Sequence, residues 1–116
     1  MPPVQLSLSV RRGSDSANIV DIQGQVTAAA EGALAETYDR ASGSGARTVI
    51  LNFSGLEYMN SSGIGLLVTL LIRANRQGHR LFAVGLSDHY RDIFELTRLN
   101  EAIRIFNSES LAIEAS

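Results

Sequence analysis

The sequence predicts a mixed α/β fold: a sheet of about five strands, opened by an antiparallel hairpin and continued by strand-helix alternation, with helices packed upon it. Three observations carry that expectation. Two runs near the start alternate apolar and polar residues across a polar turn; two later runs, 48–53 and 81–84, are apolar without alternation; and stretches of helical period stand between them.

Val4 to Val10 sets Val4, Leu6, Leu8 and Val10 against Gln5, Ser7 and Ser9, the pattern of a strand with one wet face. Arg11-Arg12-Gly13-Ser14-Asp15-Ser16 makes the turn, its arginines read as solvated, and Ala17 to Gln25, with Ile19, Val20 and Ile22, returns as the second strand. Thr27 is placed to cap a helix through Ala28-Ala29-Ala30-Glu31 to about Arg40, with Ala29, Leu34, Tyr38 and Ala41 inward and Glu31, Glu36 and Asp39 wet. Ser42-Gly43-Ser44-Gly45 stops it.

Thr48 to Phe53 lacks alternation over Val49-Ile50-Leu51, which suits a strand covered on both faces of a largely parallel sheet. A short loop then delivers Asn60-Ser61-Ser62 to an apolar helix running from Ser61 to Gln77 and closed by Gly78-His79. Leu81 to Val84 is a further buried strand. Ser87 or Asp88 caps a helix from about Tyr90 to Thr97, with Ile93, Phe94, Leu96 and Leu99 packing inward. Ile103 to Phe106 is a last short strand, and Ser108 caps a terminal helical turn. The order is ββαβαβαβα, without an internal repeat, and residues 1–116 are expected to form one domain burying about two thirds of the unfolded surface.

Composition narrows the function. A net charge of −2 gives no electrostatic reason to expect nucleic acid as a partner. All ten basic residues are Arg, so neither a Schiff-base lysine nor a P-loop lysine is available. Without Cys, thiolate catalysis and Cys-ligated zinc are excluded. The first residues form no secretory signal, and the longest apolar stretch, Ile64 to Ile72, is far short of the ~20 residues of a membrane span; a cytoplasmic protein is the expectation.

Enzyme signatures fail in turn. Gly63-Ile64-Gly65 resembles the start of a dinucleotide fingerprint, but Val68 stands where the third glycine belongs. His79 and His89 flank a strand without ligand spacing, and Asp88-His89 has no nucleophile elbow to serve. Asp92, Glu95 and Glu101 form no acid/base pair. No catalytic residue, cofactor or metal is expected.

The informative corner is therefore Asn60-Ser61-Ser62. Asn and Ser cap helices by accepting bonds from the unpaired N–H groups of the first turn, so either Asn60 or Ser61 has a plain structural use. The helix dipole also favours negative charge there, which makes a phosphoserine electrostatically acceptable. At about 100° per residue, Ile64, Val68, Leu71 and Ile72 point to the sheet, and Ser62, Gly65, Thr69, Arg73 and Arg76 form a polar strip. Leu66, Leu67 and Leu70 widen the apolar sector; either a neighbouring helix covers them, or part of that flank, with Leu56, Tyr58 and Met59, stays open to dock a protein.

The run Leu51-Asn52-Phe53-Ser54-Gly55-Leu56, two residues, Met59, then Asn60-Ser61-Ser62-Gly63-Ile64-Gly65-Leu66-Leu67 resembles the signature of STAS domains, the family of bacterial anti-sigma factor antagonists. The resemblance extends from Ile22-Gln23-Gly24 to the helix after Leu86. It implies that Ser61 is the residue phosphorylated by a serine-kinase anti-sigma factor. It further implies that the free form binds that kinase, releasing a sigma factor and regulating transcription in a stress response; Asn60 and Ser62 then shape the docking loop, Gly63 gives room at the helix start, and Leu56, Tyr58, Met59 and Leu66 are the apolar residues read above as open to the partner. A phosphatase would be a second partner. Asn60 and Asn52 stand where the family usually has Asp, and Gly24-Gln25-Val26-Thr27 where it usually has acids, so the hydrogen-bonding shape is kept and the charge discarded. That neutrality feeds a rival reading, a phosphorylation-independent STAS module of a stressosome-like scaffold or transporter complex. A third, small-ligand binding at the helix start, follows from anion affinity there.

Overall fold

A computed structural model describes residues 5–43 and 45–116. Strand β1 (Leu6–Arg12) and strand β2 (Ala17–Val26) form the antiparallel hairpin. A 3-10 turn (Ala28–Ala30) leads into α1 (Glu31–Ala41), followed by β3 (Thr48–Met59), α2 (Ser61–Gln77), β4 (Arg80–Val84) and α3 (Asp88–Leu96). A second 3-10 turn (Leu99–Glu101), β5 (Arg104–Phe106) and α4 (Glu109–Ala115) complete the described chain. The strands lie in the order β1-β2-β3-β4-β5, and every pairing after the hairpin is parallel. The expected element order and mixed sheet are both found; Val4 and Ser44 fall outside the described residues.

Two-sided coverage explains the missing alternation in β3. Val49, Leu51 and Phe53 face α1, α2 and α3, where they meet Leu34, Tyr38, Leu67, Leu70, Ala74 and Phe94. Ile50, between them, faces the other way into a second cluster with Ala17, Ile19, Phe82, Val84 and Ala112 of α4. Apolar residues on consecutive positions are the requirement of a strand buried above and below.

The helix phases differ from expectation at named places. In α2 the buried line is Gly63, Leu67, Leu70 and Ala74, whereas Val68 is 39% and Ile72 49% exposed. The inward face is therefore the flank that Leu67 and Leu70 supply; of the four residues expected against the sheet, Val68 and Ile72 look into solvent, while Ile64 and Leu71 are partly buried and pack against the core. Gly63 sets this phase. A Cβ on it would stand 2.2 Å from the Val26 carbonyl oxygen, so the first turn of α2 sits directly on the end of β2, and only glycine permits that approach. Gly65, by contrast, has open space where its Cβ would be.

In α1, Ala30 rather than Ala29 is buried, because a 3-10 turn precedes the helix and shifts the register; Thr27 begins that turn without a side-chain cap bond. Leu34, Tyr38 and Ala41 are buried as expected. In α3 Phe94 is buried, and Leu96 is 84% exposed because two residues on lies about 200° around a helix. Leu99 fills the core instead, after the chain reverses through Arg98 in the left-handed region (φ 59°). Ser87 and Ser108 accept bonds from the N–H groups of Tyr90 and Leu111 and cap α3 and α4.

One polar network clasps α4 to the hairpin. The Arg11 guanidinium donates to Asp21 Oδ1 at 2.9 Å and to Glu109 Oε2 at 2.6 Å, while Asn52 Nδ2 donates to Asp21 Oδ1 at 2.8 Å. The hydrogen bond from Arg11, aided by that from Asn52, holds the Asp21 carboxyl below its ordinary value of 3.8 against the opposing effect of burial.

Two predictions follow from this packing. Gly63→Ala should destabilise the protein by about 1–3 kcal/mol through overpacking, whereas Gly65→Ala should stabilise it by about 0.5–1 kcal/mol through helix propensity, both read by urea unfolding. Because a depressed carboxyl contributes stability only while ionised, Asp21→Asn should weaken the fold at pH 7, and its deficit against wild type should shrink as the pH falls below about 4. Unfolding titrations at pH 7 and pH 3 check the sign.

Candidate functional site, the start of helix α2

Strand β3 continues six residues past Phe53, so the segment expected as a loop is paired: Gln23 with Gly55, Gly24 with Leu56, Gln25 with Tyr58 and Val26 with Met59, across two register shifts. Those irregularities hid the strand from a period-two reading. They also bring the end of β3 level with the end of β2, and the Asn60 N–H donates to the Val26 carbonyl at 3.4 Å.

At the junction each residue has a distinct duty. The Asn60 side chain accepts from the Gly63 N–H at 2.9 Å, and its carbonyl accepts from the Ile64 N–H at 3.0 Å, which makes Asn60 the cap. The question left open between Asn60 and Ser61 is thereby answered. Ser61 and Ser62 are both exposed, and among the described residues neither hydroxyl has a hydrogen-bond partner. No acidic side chain lies in the first turn.

The other expected interface residues divide. Tyr58 is 48% exposed, and Leu56 and Leu66 are partly buried at the surface. Met59 is only 4% exposed and belongs to the core, so its side chain is not offered to a partner; the strand's end turns it inward with Val26. Gly63 is likewise buried, in its role as the seat of α2.

Tyr90 was not anticipated as part of this corner. Its hydroxyl accepts from the Met59 N–H at 2.8 Å, inside the core, satisfying a donor that would otherwise be buried without a partner. The signal available beforehand was slight: an aromatic with a polar tip one turn before Phe94 on the inner face of α3. His89 is exposed with its ring against that of Tyr90 at 4.8 Å. His79 lies on the far side of β4, 3.4 Å from the Tyr38 hydroxyl, and the described residues contain no group of three His, Asp or Glu placed to hold a metal.

Asn52 is not at the Ser61 corner. It lies on the α4 face, where its amide donates to Asp21 and its Oδ1 accepts from the Ser54 N–H at 3.1 Å and the Ser54 hydroxyl at 2.7 Å. A carboxylate at 52 would set like charge against Asp21, so the amide is what this pairing requires. No helix among the described residues is long and apolar enough to cross a membrane.

Known proteins share this fold. The chain is 33% identical over 61 residues to an anti-sigma-B factor antagonist of Staphylococcus aureus, a match covering 53% of this chain and 56% of that protein. The chain thus spans little more than half the length of that curated relative. Among solved structures, an anti-sigma factor antagonist from Mycobacterium paratuberculosis superimposes with a TM-score of 0.81 at 17% identity, covering 98% of this chain and 96% of the other. The phosphorylated form of the Bacillus cell fate determinant SpoIIAA gives 0.71 at 18% identity, over 95% and 100% of the two chains. A sulfate transporter family protein from Wolinella succinogenes gives 0.70 at 20% identity, over 90% and 86%. At those identities the structures share the fold. The STAS domain family model matches residues 10–112, and the chain belongs to the STAS domain family.

Proposed function

We propose that this protein is a cytoplasmic anti-sigma factor antagonist whose single STAS domain binds an anti-sigma factor with serine kinase activity when Ser61 is free and releases it when Ser61 is phosphorylated. The observation that carries the reading is the division of labour at the helix start. Asn60 does the capping, so the Ser61 hydroxyl is exposed, unbonded and available to a phosphoryl donor. A phosphoryl group there brings about −1.5 to −2 charges to a site next to exposed Tyr58 and partly buried Leu56 and Leu66. The helix dipole tolerates that charge in the isolated protein, whereas an apolar or acidic partner surface pressed against it does not. The bound partner is thereby expelled, without rearrangement of the fold.

The nucleotide belongs to the partner in this scheme, and this chain performs no catalysis. Relatives bearing the name anti-sigma-B factor antagonist, and a structural neighbour solved in a phosphorylated form, support the reading. The neutral amide at 60 and the likeness to a transporter-family protein favour a second one, a STAS module that docks its partner without a phosphorylation cycle.

Wild type, Ser61→Ala and Ser61→Asp used as baits in host lysate separate the two. Capture of a histidine-kinase-fold anti-sigma factor by the first two baits, and at least tenfold less by the third, is expected, with a phosphopeptide spanning Tyr58 to Gly63 recovered from cells. Equal capture by all three baits would refute switching. Because the hydroxyl has no internal partner, Ser61→Ala should leave unfolding free energy within about 0.5 kcal/mol of wild type, which keeps any binding difference free of a folding artefact.

A further inference from the structure

Strand β4 pairs with β3 only from Thr48 to Asn52, whereas β3 continues to Met59. An amide in that extension has no β4 carbonyl to bond, and a buried N–H left unpaired is costly. The Tyr90 hydroxyl meets the need at Met59, at 2.8 Å, with both residues buried. It does so at the last residue of the strand, two positions before Ser61.

The other ties of the strand end are weaker or local. The Asn60 N–H reaches the Val26 carbonyl at 3.4 Å, beyond the roughly 2.7–3.2 Å of an ordinary N–H···O bond. The bonds from the Gly63 and Ile64 N–H groups to Asn60 lie within the turn and do not fasten it to the sheet. Met59 does touch the turn: a Cβ on Gly63 would stand 2.8 Å from Met59 Cγ. Tyr90 is itself anchored, because one turn on Phe94 packs edge-on against Phe53 of β3, with ring centres 6.3 Å apart.

We propose that Tyr90 is a positioning residue for Ser61: its hydroxyl fixes the end of β3, and with it the turn from which the Ser61 hydroxyl is presented. The biological meaning of this rests on the reading of Ser61 as the phosphate acceptor, while its physical content rests on the geometry alone. Removing the Tyr90 oxygen keeps the ring in its packing and changes no atom of residues 60–62, yet it frees the strand end to move. The N–H groups of the first turn then lose their alignment on position 61. A loosened turn has to be ordered again whenever a kinase takes the hydroxyl, and that ordering raises the barrier to transfer.

The absence of cysteine allows a test that needs no partner. In Ser61→Cys the thiol sits at the helix start, where its pKa should lie below the ~8.5 of a free cysteine, read from the pH profile of its reaction with a thiol reagent. Adding Tyr90→Phe should raise that pKa by about 0.5 or more. It should also speed amide hydrogen exchange at Met59, Gly63 and Ile64 at least tenfold while Leu81 to Ala83 keep their protection, with circular dichroism confirming the fold. Tyr38→Phe is the control, since it too removes the hydroxyl of a buried tyrosine, one 3.4 Å from His79 before the start of β4, and should move neither reading. With the kinase captured by the Ser61→Ala bait, Tyr90→Phe should be phosphorylated at Ser61 with kcat/KM at least fivefold below wild type. A thiol profile and exchange pattern that Tyr90→Phe leaves unchanged, equal changes in Tyr38→Phe, or undiminished phosphorylation of Tyr90→Phe would each overturn the proposal. So would a wild-type Met59 amide that exchanges as fast as an exposed loop amide, a measurement that needs no variant to fold. A captured kinase that leaves wild-type Ser61 untouched would refute the reading of Ser61 instead, and the thiol and exchange results would still decide the role of Tyr90.

Discussion

The seat of α2 on the end of β2 is the contact that the remaining structure depends on. With no Cβ at Gly63, the first turn of the helix rests on the Val26 carbonyl, and the phase of the whole helix is fixed from that point. Leu67, Leu70 and Ala74 then fall inward as a consequence of helical geometry, and Val68 and Ile72 fall outward. The same contact positions the cap. Asn60 bonds Val26 through its N–H and Gly63 through its side chain, so the strand end, the turn and the helix start form one rigid unit. Tyr90 joins α3 to that unit through the Met59 N–H. A displacement of α3 cannot occur without either breaking that bond or moving the corner.

The amides at positions 60 and 52 do different work. At 60 the amide oxygen does what a carboxylate oxygen would do as a cap, and the loss is one of charge alone. At 52 the amide nitrogen is used, as a donor to Asp21, and a carboxylate has no such group. Asp21 in turn accepts from Arg11, which also grips Glu109 at the start of α4. The negative charge of this region is therefore on the opposite face of the sheet from the three larger helices, committed to holding the short C-terminal helix.

Much of the architecture was legible because period and punctuation agreed. The alternation through Leu6, Leu8 and Val10, the unbroken Val49-Ile50-Leu51, and the caps Asn60, Ser87 and Ser108 each encode a local choice that the fold keeps. Three things were not legible, each for a physical reason. The second half of β3 pairs through irregular register, which erases the two-residue period on which strand recognition depends. The facing of α2 could not be read from a helix apolar nearly all round; it is decided by a steric contact at Gly63 with a residue 37 positions earlier. Met59 and Tyr90 meet only in three dimensions, so the burial of one and the role of the other left no trace in spacing. Ser61 was singled out only by the likeness to the family signature, since the residues alone left it as a possible cap, and its exposure at the helix start needed the structure.

Because Asn60 carries the whole burden of closing the helix, position 61 is exempt from architectural demands. Its side chain can be exchanged, modified or removed while the scaffold beneath stays as it is. Whatever keeps a hydroxyl there answers to encounters with other molecules, and variation at that single point can retune those encounters without asking the domain to fold anew.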